Sequence, residues 1–62
     1  MVTKCYIVEI SIENDFMFEQ LDNYHFNYST FARCWCPGYM EIYIECPVSQ
    51  IRYLENIMKW YV

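Results

Sequence analysis

The sequence predicts a small α+β domain with the element order strand, helix, strand, strand, helix. Three observations predict it. Two segments, residues 5–13 and 39–46, alternate side chains with the period of a half-buried strand. Two others, residues 15–24 and 48–61, carry apolar side chains at helical spacing. Between the two halves, Pro37-Gly38 is the strongest punctuation in the chain. Pro presets the first position of a turn and Gly accepts positive φ at the next.

Each element can be justified in turn. In residues 5–13, Tyr6, Val8, Ile10 and Ile12 share one face, and Glu9, Ser11 and Glu13 share the other. Asn14 is the expected N-cap of the first helix, with Asp15 favourable in its first turn. Met17, Leu21 and Tyr24 then recur at helical spacing with Phe18 beside them, and the helix should end near residues 23–25. Residues 28–36 are rich in β-favouring types and read as the second strand. In residues 39–46, Met40, Ile42 and Ile44 point one way and Tyr39, Glu41, Tyr43 and Glu45 the other. Pro47 halts that ladder and opens the second helix. Val48, Ile51, Leu54, Ile57 or Met58, and Tyr61 line the inner face of that helix.

The hairpin register follows from burial. Pairing Cys36 with Tyr39 would set Arg33 against Ile42 on the core face. A three-residue loop instead sets Cys36 against Met40, Cys34 against Ile42 and Ala32 against Ile44. Its core face is then wholly apolar, and Phe31, Arg33 and Trp35 stand outside with Glu41, Tyr43 and Glu45. A one-residue slip exchanges the two faces, so burial selects the second arrangement.

A right-handed crossover makes strands one and two parallel, and strand three lies antiparallel between them in the order 1-3-2. Both helices cover one face. This topology resembles a ferredoxin-like split βαβ that lacks its last strand, with residues 59–62 as a stub of that strand. The likeness is one of topology and not of family.

Composition bounds the function. The chain has 62 residues, which make a single domain spanning 1–62. A domain of this size buries only about 60% of its unfolded surface, so it needs an unusually dense core or a partner. Thirteen residues are Phe, Trp or Tyr, and each ring buries about 150–250 Å². So small a body cannot enclose them all, and exposed contiguous apolar surface marks interaction sites. The formal net charge is −4, which argues against direct nucleic-acid binding and against attraction to anionic lipid. It suits a protein partner with a basic surface.

No run approaches the roughly 18 apolar residues of a membrane span. The first nine residues lack the uncharged apolar stretch of a secretory leader. The expected location is the cytoplasm, where Cys5, Cys34, Cys36 and Cys46 are reduced.

With the helices on one side, the opposite sheet face is the expected working surface. The partner-binding residues expected there are Glu9, Glu13, Phe31, Trp35, Tyr39, Glu41, Tyr43 and Glu45, with Ser11 and Arg33 among them. Rigid aromatics give contact area at low entropic cost, and surrounding carboxylates select a basic partner. Exposed rings on such a sheet also suit base stacking, but the flanking glutamates repel phosphates.

Residue types for catalysis are scarce. His25 is the only histidine, and it reads as an exposed loop residue rather than a general base. The four cysteines read as core thiols, the alternative in an oxidising environment being a disulfide from Cys36 or Cys46 to another cysteine. A zinc site from Cys34, Cys36, Cys46, Cys5 and His25 is arithmetically possible but lacks a Cys-x-x-Cys knuckle. Alternating glutamates read as a solvated face and not as a hard-cation site. A single glycine excludes glycine-rich phosphate loops.

The sequence therefore leads us to expect no enzyme, metal or cofactor, but a protein-binding module. Its size and charge match the small acidic inhibitors that phages deploy against host or defence proteins, covering a basic, nucleic-acid-binding site. The alternative is a subunit of a homodimer or larger homo-oligomer that buries the aromatic face between copies.

Overall fold

The computed structural model describes residues 1–32 and 37–62. Expectations resting on Arg33, Cys34, Trp35 and Cys36 lie outside the described residues. The elements are β1 (Val2–Glu9), α1 (Asn14–Asn23), β2 (Asn27–Ala32), β3 (Tyr39–Cys46), a 3₁₀ turn (Val48–Gln50) and α2 (Ile51–Met58). Both β1 and β2 pair antiparallel with β3, giving the order β1-β3-β2. This is the small βαββα domain that the sequence predicts.

The core lies between the sheet and the helices. From the sheet come Val8, Met40, Ile42, Ile44 and Cys46, all of one parity. From the helices come Met17, Leu21, Leu54, Ile57 and Met58, and Phe26 closes one end. Leu54, Ile57 and Met58 meet because residues three and four apart share a helix face. Tyr28, from the inner side of β2, stacks on Phe18 at 5.3 Å and 12°. Among the described residues no helix is long and apolar enough to cross a membrane.

The first strand differs from its expected span. It begins at Val2 and stops at Glu9, and Ile10 and Ile12 are 54% and 90% exposed rather than buried. Asn14 explains the early stop. Its side chain is 6% exposed, and its Oδ1 accepts from the Ser11 N–H at 2.8 Å while its Nδ2 donates to the Glu9 carbonyl at 3.2 Å. These bonds turn backbone groups inward that a longer strand would offer to a ladder. The helix cap is accordingly Glu13 rather than Asn14, and it makes no side-chain capping bond.

The α1 C-terminus falls where expected. His25 adopts φ 60°, its N–H donates to the Asp22 carbonyl, and the Phe26 N–H reaches back to the Leu21 carbonyl at 3.0 Å. This is the Schellman arrangement, with a histidine where glycine is usual. Phe26 and Leu21 are both buried, as that motif's hydrophobic contact requires.

The hairpin register is also corrected. Ala32 pairs with Met40, Thr30 with Ile42 and Tyr28 with Ile44. Each β3 residue meets a β2 residue four positions earlier than expected. An even shift leaves every side chain on its expected face, because burial specifies parity and not the pairing itself.

Two corrections concern α2. Its first turn is 3₁₀, closed by Gln50 N–H to the Pro47 carbonyl at 2.9 Å, and Val48 points to solvent instead of the core. The change from three to 3.6 residues per turn shifts the phase of the inner face. At the other end, Tyr61 N–H bonds the Met58 carbonyl at 2.9 Å. This tightens the last turn, so residues 59–62 form no strand stub.

Candidate binding face

Because side chains alternate along a strand, the residues opposite in parity to the core form the uncovered face of the sheet. The register arranges them in four rows. Glu9 stands beside Tyr39; Ile7, Glu41 and Phe31 form the second row; Cys5, Tyr43 and Ser29 the third; Thr3, Glu45 and Asn27 the fourth. All are exposed except Glu41, which is half-buried between Ile7 and Phe31.

Tyr43 organises this surface. Its ring meets Phe31 edge to face, with centroids 5.6 Å apart and planes at 80°. Its hydroxyl donates to Glu41 Oε2 at 3.0 Å. That bond, followed by the neighbouring Cys5, holds the Tyr43 phenol above its ordinary ionisation range. The aromatic pair and the hydrogen bond together help fix the direction of the Glu41 carboxylate. On one side of Tyr43 an open hollow of about 440 Å³ is lined by Phe31, Glu41 and Tyr43. On the other a more polar hollow of about 300 Å³ is lined by Thr3, Asn27, Tyr28, Ser29, Tyr43 and Glu45.

Among the described residues the charge on this face has one sign. Glu9, Glu41 and Glu45 lie on it, and among the described residues it carries no Lys, Arg or His. The described cations belong to the helix side. Lys4 reaches Glu55 at 4.0 Å, Lys59 lies over the Trp60 ring at 5.4 Å from its centroid, and Arg52 projects from α2.

Six of the eight residues expected at the surface are thus brought together: Glu9, Phe31, Tyr39, Glu41, Tyr43 and Glu45. Glu13 is not among them. It lies beyond the end of β1 at the start of α1 and lines a separate hollow with Phe16, Gln20, Trp60 and Tyr61. Ser11 leaves the sheet for the same reason. Trp35 and Arg33 lie outside the described residues.

The structure adds Ile7, Cys5, Thr3, Asn27 and Ser29. Parity with Glu9 is the signal that finds Ile7 and Cys5, but their apolar character disguises it. Ile7 is 49% exposed and Phe31 56%.

The cysteines divide between the faces. Cys46 is a buried core thiol as expected, whereas Cys5 is exposed opposite Tyr43. The sheet separates the two, so they cannot share a tetrahedral zinc. Cys34 and Cys36 are outside the described residues. His25 is exposed in the turn after α1.

The other exposed rings are on the helix side. Tyr24 stacks on Phe26 at 5.7 Å and on Tyr53 at 6.1 Å. Tyr24 and Tyr53 are thereby engaged with each other, Phe16 and Trp60 stand exposed around the hollow that Glu13 also lines, and the Phe31–Tyr43 pair faces outward beside Ile7. Comparison with protein-family models, curated proteins and solved structures finds no match for this chain.

Proposed function

We propose that the chain is a non-catalytic protein-binding module whose open sheet face covers a basic surface on its partner. The observation that carries this reading is the coincidence, among the described residues, of outward aromatic surface and single-sign charge on one sheet. Ile7, Phe31 and Tyr43 supply area that loses little entropy on contact, and Glu9 and Glu45 flank it with negative charge. A flat, acidic sheet of this kind fits over a groove built for phosphates. Occupying that groove would block it, and this is the sense in which the chain is read as an inhibitor. Its size and charge suit the phage-type setting named above. The non-catalytic part rests on chemistry: among the described residues no nucleophile is hydrogen-bonded to the single histidine. Self-association face to face is the weaker reading, since it would set like carboxylates against each other.

The test uses a lysine-rich peptide titrated into the labelled protein, followed by NMR. Shifts should concentrate on Ile7, Phe31, Tyr43 and Glu45, and binding should weaken steeply with salt. The double variant Glu9→Lys/Glu45→Lys should slow association by about tenfold or more and flatten the salt dependence. Shifts confined to the helices, or binding unchanged in a folded double variant, would refute the reading.

A further inference from the structure

We infer that two copies of this chain associate through β2, joining their sheets edge to edge into one six-stranded antiparallel sheet. The proposal goes beyond the open-face reading and stands on different residues.

Among the described residues this edge is unprotected. Strand β3 occupies one side of β2, and among the described residues no strand pairs with its other side. A free edge presents a row of unmatched N–H and C=O groups that template another strand. Proteins usually blunt such edges with charges, proline, bulges or covering elements. Asn27, Tyr28, Ser29, Thr30, Phe31 and Ala32 include no charge and no proline. The helices do not cover them either: Thr30 and Ala32 point toward the helix side yet are exposed, and five of the six residues are exposed. The other edge differs. Strand β1 carries Lys4 and Glu9, and its inner residues Val2, Lys4, Tyr6 and Val8 are half-buried or buried.

Charge names the occupant. Two bodies of net −4 repel wherever their carboxylates approach. Over its described residues, Asn27–Ala32, the β2 edge is an uncharged line along which a second copy can approach. In a β3–β2–β2–β3 order the Glu41 and Glu45 rows of the two copies are three strand spacings apart, about 14 Å. That exceeds the roughly 8 Å Debye length at physiological salt, so their repulsion is screened. A two-fold register centred on Ser29 or Thr30 keeps every side chain on its own face, as an isologous contact requires. The result is a continuous acidic face twice as wide. Salt should favour this association and weaken binding to a basic partner, which separates the two proposals.

Sedimentation of the full chain from about 1 μM to about 1 mM should show a monomer–dimer equilibrium strengthened by salt. Amide exchange in residues 27–32 should slow as concentration rises, a readout that needs no variant. Thr30→Lys should weaken the dimer at least tenfold, and mixing Thr30→Lys with Thr30→Glu should restore it as a heterodimer. A monomer throughout, or exchange in β2 independent of concentration, overturns the proposal. So does a dimer indifferent to Thr30→Lys in the folded variant. None of these results touches the open-face reading, whose peptide titration uses dilute protein.

Discussion

The two faces of β3 are built from alternate residues of one eight-residue strand, yet they do different work. Met40, Ile42, Ile44 and Cys46 are buried beneath the helices, and their side chains hold the sheet to α1 and α2. Tyr39, Glu41, Tyr43 and Glu45 lie on the opposite face beside residues of the adjacent strands, with Tyr43 set against Glu41 and Phe31. The inner face has almost no polar chemistry and large packing energy. The outer face has directed polar chemistry and little packing energy. The contrast teaches that in so small a domain a packed apolar layer and an exposed polar and aromatic surface can be separated by a single backbone alternation.

That separation can be broken or sharpened by measurement. The largest effect belongs to the inner face. Ile42→Ala should cost about 2–5 kcal/mol of unfolding free energy, while Tyr43→Ala should cost about 1 kcal/mol or less, the scale of a cross-strand pair. Urea unfolding of both variants checks this, and equal losses would erase the distinction between the faces.

A smaller effect, of opposite sign, is expected at Tyr6. Among the described residues its hydroxyl is buried without a hydrogen-bond partner. Tyr6→Phe should stabilise the fold by about 1 kcal/mol, because an unsatisfied polar group costs more than its removal. Burial, with the nearby Glu55 and Cys46 adding to it, raises the Tyr6 phenol above its ordinary value of 10.0. A group whose folded value is raised contributes stability that is complete below pH 10 and is lost as pH climbs through the raised value. The wild type should therefore lose stability on that alkaline limb, and Tyr6→Phe should lose less. Identical alkaline profiles would mean that the phenol ionises equally well in the folded state.

The smallest effect is expected at the rim of the outer face. Glu9→Gln and Glu45→Gln should each change stability by no more than about 0.5 kcal/mol. A thermal melt that moved markedly in either variant would give these carboxylates a structural duty that the separation denies them.

Much of this fold is legible in the sequence because alternation is a local code. The parity of residues 39–46 identifies the inner and outer sets, and with strand order it places Phe31, Tyr39, Glu41, Tyr43 and Glu45 on one surface. What is not legible depends on groups that compete from a distance. Ile10 and Ile12 continue the alternation of β1, yet the Asn14 amide takes up the Glu9 carbonyl and the Ser11 N–H and ends the strand. Glu13 is lost from the surface as a result. The hairpin pairing depends on loop length, which hydrophobicity does not specify beyond odd or even. Cys5 reads as a core thiol by residue type and Ile7 is assigned to neither face, although parity with Glu9 places both outside.

Gly38 is the chain's only glycine, and it stands at φ +90°. Its carbonyl accepts the Ile10 N–H at 2.8 Å, so the tip of the hairpin is tied to the segment that leaves β1. A methyl group added there would meet no atom of the described residues within 4 Å. The constraint these residues leave is torsional, and in a survey of all substitutions at this position even alanine should be penalised for its φ alone.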